Sequence, residues 1–234
     1  MLPPYGTSSA VVEGLTRTIA WLLVAGVTAM AAAPAVADSA AAAPTRPIKL
    51  VVLGDSLSAG YGLPAAAAFP VRLQKALKSN GRETEIINAG VSGDTASGGL
   101  GRLDWSVPAD TEAVILELGA NDALRGTDPK VTRAALDEIL KRLKSRNIKV
   151  LLCGMLAPPN YGADYAAQFN AIYPDLAKTY AVPLYPFFLD GVATIANLNQ
   201  ADGLHPTAEG VDTVVNNILP TVEAFLGTVA GQRS

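Results

Sequence analysis

Strand-length apolar runs alternate with amphipathic, helix-length segments from residue 48 to residue 225, and this alternation predicts a three-layer α/β/α sandwich around a parallel sheet. The runs are apolar almost throughout instead of switching polarity at every second residue, as expected of strands covered by helices on both faces. Length and composition agree with one globular domain: 234 residues, half of them apolar, 17% charged, with a formal net charge of −3.

The first strand is Ile48, Leu50, Val51, Val52 and Leu53, and a helix is predicted over 69–79. A second strand at 85–88 leads through a glycine-rich turn into a helix at 97–103, and a third strand at 113–118 follows. The helix at 129–145 carries its own punctuation: Asp128 as N-cap and Pro129 as first helical residue. Val131, Ala135, Leu136, Ile139, Leu140 and Leu143 are its expected inner face, with Asp137, Lys141 and Lys144 outside. A fourth strand at 148–153, a single helix at 165–180 and a fifth strand at 182–185 come next. Pro206 is expected to open a last helix reaching 225, whose buried stripe is Val211, Val214, Val215, Ile218, Val222 and Phe225. The economical assembly is a flavodoxin-like sheet of about five strands.

Residues 1–37 are set apart. Arg17 precedes an apolar run at 19–33, and Ala35-Val36-Ala37 forms a small-x-small cleavage pattern, so the sequence predicts a secretory signal cut after Ala37. A retained anchor is the competing reading, but the run falls short of the ~20 residues that span a bilayer. Residues 38–47 then form a short leading segment, and no stable membrane insertion is expected after cleavage.

Charge and cysteine content exclude several functions. The basic residues Lys75, Lys78, Lys141, Arg142 and Lys144 lie on helix-like segments and form no block suited to phosphates, so nucleic acid is not an expected partner. No obligate protein partner is indicated either. Cys153 is the single cysteine and His205 the single histidine, too few ligands for a zinc site, and no metal or organic cofactor is expected.

Candidate chemistry concentrates where strands end, which is where ligands bind in open α/β sheets. Gly54-Asp55-Ser56-Leu57-Ser58 puts a hydroxyl directly after the first strand, and Asp202-Gly203-Leu204-His205-Pro206 supplies a base with a carboxylate three residues ahead of it. Together these make a serine, histidine and aspartate set with no spare members. Asp55 and Ser56 alone could be an N-cap pair, and His205 alone a packed histidine. A phosphate-binding loop is disfavoured because neither GxGxxG nor GK[ST] is present.

With Gly90-Val91-Ser92-Gly93-Asp94-Thr95 and Gly119-Ala120-Asn121-Asp122, these blocks resemble the SGNH (GDSL) hydrolases, whose serine, glycine, asparagine and histidine all appear in order. Pro158-Pro159-Asn160-Tyr161-Gly162 and Pro183-Leu184-Tyr185-Pro186-Phe187-Phe188 look most like the periplasmic arylesterase, thioesterase and lysophospholipase group. The resemblance implies a hydrolase domain over 48–228 with a tail at 229–234. It also implies a catalytic Ser56, Asp202 and His205, and an oxyanion hole from the backbone N–H groups of Ser56 and Gly93 and the side-chain amide of Asn121. Asp94 and Asp122 read as structural hydrogen-bonding residues beside the site. Ala120 stands where a second glycine is common in the family, and alanine would be strained there if the backbone needed positive φ. Pro159, Asn160 and Tyr161, after the fourth strand, are the expected rim of an acyl pocket.

The implied activity is hydrolysis of aryl and short-to-medium acyl esters through an acyl-enzyme, with thioesters and lysophospholipids as further substrates. A carbohydrate O-deacetylase is the competing enzyme, weakened by the scarcity of aromatics, and a non-catalytic SGNH-fold binding protein is the alternative of another class.

Overall fold

The computed structural model describes residues 46–231. The predicted signal at 1–37 and the leading segment up to residue 45 lie outside the described residues. Five parallel strands form one sheet in the order β2-β1-β3-β4-β5: β1 (Ile48–Gly54), β2 (Thr84–Gly90), β3 (Ala113–Glu117), β4 (Lys149–Cys153) and β5 (Leu184–Tyr185). β1 is an interior strand, paired with both β2 and β3, Gly54 standing opposite Gly90 on one side and Glu117 on the other. Everything that follows β1, β2 and β3 therefore emerges along one edge of the sheet.

The helices are α1 (Ser56–Ala59), α2 (Phe69–Ser79), α3 (Ala96–Gly101), α4 (Leu103–Ser106), α5 (Ala120–Leu124), α6 (Pro129–Ser145), α7 (Ala163–Asn170), α8 (Ile172–Tyr180) and α9 (Ala208–Ala230). The expected inner face of α9 is buried throughout. α6 starts as expected, with Asp128 accepting from Lys130 N at 2.9 Å, but Val131 is exposed and Thr132 takes the inner position.

Several boundaries differ from the sequence expectation. The single helix over 165–180 is two, because Pro174 sits in the first turn of α8, where its missing N–H is harmless; a continuous helix would press its ring on the Asn170 carbonyl. The helix over 97–103 divides into α3 and α4 at Arg102, whose side chain is committed elsewhere. Pro206 does not open α9: it forms an isolated antiparallel bridge with Asn199, and Thr207 is the cap, accepting from Gly210 N at 3.2 Å. α9 also runs to Ala230, past Pro220, which lies on the exposed side where water meets the freed Asn216 carbonyl.

Candidate active site

The turn after β1 is a capped single helical turn. Asp55, fully buried, accepts from Leu57 N at 3.0 Å, which starts α1 at Ser56 and leaves the hydroxyl at the sheet edge. Ser56 Oγ lies 2.9 Å from His205 Nε2, and His205 Nδ1 lies 2.7 Å from Asp202 Oδ2. The histidine and aspartate are one local unit. Asp202 Oδ1 accepts from Leu204 N at 2.9 Å and from His205 N at 3.0 Å while Oδ2 takes the ring. The backbone bonds from His205 and Leu204, then the ring bond, bring the Asp202 carboxyl down to about 2, so it stays ionised wherever an imidazole titrates.

Tyr61 stands against the His205 ring, with centroids 4.5 Å apart and planes at 37°. Gln200 ties the two loops, its Nε2 donating to Tyr61 O at 2.8 Å and to Pro206 O at 2.9 Å.

The expected oxyanion residues meet through Asn121. Its Nδ2 donates to Asp55 Oδ2 at 3.1 Å and to Asp94 O at 2.9 Å, linking the residue before Ser56 to the residue after Gly93. Gly93 has φ 84°, and an added Cβ would meet nothing nearer than Arg125 Nη2 at 3.7 Å, so backbone conformation and not crowding is what calls for glycine. The strain considered at Ala120 does not arise. Ala120 is the first residue of α5, and the positive φ of 117° falls on Gly119, whose hydrogen faces Tyr173 Oη. Asp122 is buried, accepting from Ala96 N at 2.8 Å and Thr132 Oγ1 at 2.9 Å, which fastens the start of α3 to α6.

Two residues that sequence reasoning passed over support this edge. Arg102, 5% exposed, pairs through Nε with the Asp94 carboxylate and donates to Ala89 O at 2.7 Å, Ser106 Oγ at 3.1 Å and Gly54 O at 2.7 Å. It thus staples the ends of β1 and β2 to the Gly93 turn. Glu117, fully buried at the end of β3, accepts from Asp55 N at 3.4 Å through Oε2, and its Oε1 has no partner. Burial, then the neighbouring Asp55, raises the Glu117 carboxyl well above the usual range, and burial lifts Asp55 to about 6. The available signal was one ionisable residue inside the otherwise apolar Val114-Ile115-Leu116-Glu117-Leu118.

A cavity of about 610 Å³ opens beside Ser56 and His205, lined by Leu57, Ala120, Ala123, Leu124, Met155, Pro158, Pro159, Phe187 and Leu189 among others. Of the expected rim, Pro159 lines it; Asn160 and Tyr161 are not among the lining residues. Tyr161 instead braces the wall from behind, its hydroxyl donating to Leu124 O at 2.8 Å and its ring lying over Gly126. A second cavity, about 700 Å³, lies where β4 begins, between Leu140, Tyr180 and Phe225, at the edge opposite the triad. Among the described residues, no group of three or more His, Cys, Asp or Glu is placed to hold a metal ion.

Comparison with known proteins bears on this arrangement. The model of the GDSL-like Lipase/Acylhydrolase family matches residues 52–212. The arylesterase of Vibrio mimicus is 44% identical over 162 residues, covering 69% of this chain and 81% of its own. The protein named thioesterase 1/protease 1/lysophospholipase L1 of Escherichia coli is 44% identical over 161 residues, covering 68% and 76%. The solved structure of AlinE4, described as an SGNH-hydrolase family esterase, is 46% identical, covers 76% of this chain and 96% of its own, and superposes with a TM-score of 0.65.

Proposed function

Since the chain belongs to the GDSL-like lipase/acylhydrolase family and is a carboxylic ester hydrolase, we propose that it cleaves aryl and short-to-medium acyl esters through an acyl-enzyme on Ser56. The observation that carries this is the unbroken relay from Asp202 through His205 to Ser56, at 2.7 and 2.9 Å, at the mouth of an apolar cavity. The cavity volume falls within the roughly 300–1,000 Å³ usual for small-molecule sites.

In the proposed cycle Ser56 Oγ attacks the ester carbonyl as His205 Nε2 takes its proton. The same nitrogen then protonates the leaving oxygen as the C–O bond breaks, and water repeats the sequence to release the acid. Asp202 holds the tautomer that leaves Nε2 free to accept. The backbone N–H groups of Ser56 and Gly93 and the Asn121 amide receive the oxyanion; Asn121 does so by sharing a hydrogen now directed at Asp55 or Asp94. Pro159 belongs to the acyl wall, which Tyr161 supports from behind through Leu124. Thioesters and lysophospholipids join the proposed substrates on the name of the Escherichia coli relative. Residues 48–228 carry this activity, and 1–37 direct export to the periplasm or medium; no helix among the described residues is long and apolar enough to cross a membrane.

The test is a fluorophosphonate probe with a p-nitrophenyl ester panel on the purified protein. Ser56 takes the label, Ser56→Ala abolishes label and turnover, and chains of four to eight carbons (roughly, for this cavity size) outperform acetyl. Label on another serine would refute the triad. Activity confined to acetyl esters would favour a carbohydrate deacetylase, and no turnover a binding protein. Sequencing the N-terminus of exported material checks cleavage after Ala37.

A further inference from the structure

The site is two-sided, and only one side is a cavity. Ser56 and His205 line it, together with residues that follow β3, β4 and β5, but no residue between 58 and 119 does. The other side, toward β2, is built from the turn after α1 and the turn after β2. The elements that lead into these turns abut: Asn88 Nδ2 of β2 donates to Ala59 O of α1 at 3.4 Å, and a Cβ on Gly90, the last residue of β2, would fall 2.5 Å from Ala59 N. The prominent side chain on this side is Tyr61, 51% exposed, with its ring beside that of His205. Tyr61 is an aromatic held at the surface with no role in the core. Its backbone is fixed by Gln200, which also holds Pro206, so the ring's place relative to His205 is set by main-chain hydrogen bonds.

An ester bonded to Ser56 carries its acyl chain and its leaving group in different directions. The leaving oxygen must come within about 2.6–3.2 Å of His205 Nε2 to be protonated. With the acyl chain in the cavity, the group on that oxygen extends along the imidazole toward β2. There the first aromatic surface it meets is Tyr61, whose ring centre is 4.5 Å from that of His205. Aromatic rings attract at centroid separations of roughly 4.5–7 Å, in tilted or offset arrangements.

We infer that Tyr61 is a specificity-determining residue on the leaving-group side: a one-wall aromatic shelf that favours esters of phenols and other flat aromatic alcohols over esters of small alkyl alcohols. The inference rests on the serine esterase reading. A shelf open to solvent sets no upper limit on leaving-group size, whereas the cavity limits the acyl chain.

The experiment holds the acyl group at butyryl and compares phenyl, 2-naphthyl, methyl and ethyl esters for wild type, Tyr61→Ala and Tyr61→Phe. Because each variant is compared with wild type on the same ester, the intrinsic reactivity of the leaving groups cancels. Tyr61→Ala is expected to lower kcat/KM for the aryl esters roughly three- to tenfold more than for the alkyl esters, and Tyr61→Phe to restore the aryl preference. Equal losses on all four esters would show that Tyr61 only orients His205 and would overturn the inference. So would a Tyr61→Ala effect that follows acyl length at a fixed leaving group, since the acyl chain would then lie on the Tyr61 side. Failure of the esterase reading looks different: wild type turns over none of the esters and Ser56 takes no fluorophosphonate, which overturns both.

Discussion

Replacing Arg102 by methionine keeps the apolar stem and removes the guanidinium, taking that donor from the Asp94 carboxylate and Ala89 O and leaving Gly54 O with Val91 N. Breaking one partner of a buried ion pair typically costs about 3–5 kcal/mol. Counting groups gives a similar figure: a charge-assisted bond at about 1.5–3 kcal/mol, plus about 1 kcal/mol or more for Ala89 O where water cannot reach, and less for Gly54 O, which keeps Val91 N. The expected loss is therefore about 4 kcal/mol, or roughly 8–16 °C in Tm for a domain of this size class. Urea unfolding at pH 7, followed by tryptophan fluorescence and far-UV circular dichroism, measures it through the midpoint at constant slope. Activity assayed at low temperature, where the variant is still folded, should fall about 10- to 100-fold, because the β1 end and the Gly93 turn lose their common anchor and small displacements of catalytic groups are costly. Arg102→Lys should recover only part of both, since an ammonium cannot span the same four acceptors. A stability loss below about 1 kcal/mol for Arg102→Met would show that water replaces the guanidinium, and the staple argument would be wrong.

Asp55 and Glu117 bind protons more tightly folded than unfolded, so the stability they support is present below pH 4 and declines as pH rises through about 6; Glu117→Gln should flatten that decline in the urea midpoint between pH 4 and 8, and an unchanged slope would contradict it. Asp202 works in the opposite sense, lost only as pH falls through about 2, and its partial exposure makes that contribution small; Asp202→Asn should instead lower kcat by about 10³–10⁴ with little change in melting temperature. Gly119→Ala combines a φ of 117° with a Cβ 2.1 Å from Tyr173 Oη and should cost on the order of 2–4 kcal/mol in a thermal melt; a near-neutral result would mean that Tyr173 moves freely. Leu124→Ala trims the cavity wall that Tyr161 braces and should lower kcat/KM for octanoyl esters by about 1–2 kcal/mol while sparing acetyl esters. Equal loss on both would place Leu124 in catalytic alignment instead.

What the sequence revealed and what it hid divide along a physical line. Strand and helix positions were legible because burial on both sheet faces forces long apolar runs, and the meeting of Ser56, His205 and Asp202 was legible because each sits within a few residues of a strand end or a cap. Features that depend on contacts far apart in sequence were not. Arg102 reads as one more surface cation until Gly54 is brought against it from 48 positions away. Tyr161 follows β4 and so reads as a pocket wall, yet its hydroxyl finds a carbonyl of α5. Val131 has the right spacing for an inner face, but Asp122 needs the neighbouring Thr132 hydroxyl, and satisfying a buried carboxylate outweighs burying one valine. The break between α7 and α8 could have been read from Pro174 had steric conflict been weighed above periodicity.

Asp202 and His205 share one short loop, and the carboxylate that orients the ring also binds that residue's own backbone N–H. The base therefore travels with its acid. If the loop swings away from Ser56, by thermal motion or a loosening substitution in α9, the imidazole keeps its partner, while the Oγ to Nε2 gap and the contacts with Tyr61 open together. On the proposed mechanism, damage in the supporting helix should therefore appear as a graded fall in acylation rate and not as the loss of the histidine–aspartate pair. The same self-containment makes the loop a portable part: transplanted onto another sheet edge with a serine at the right distance, it would bring an imidazole already oriented by its own carboxylate.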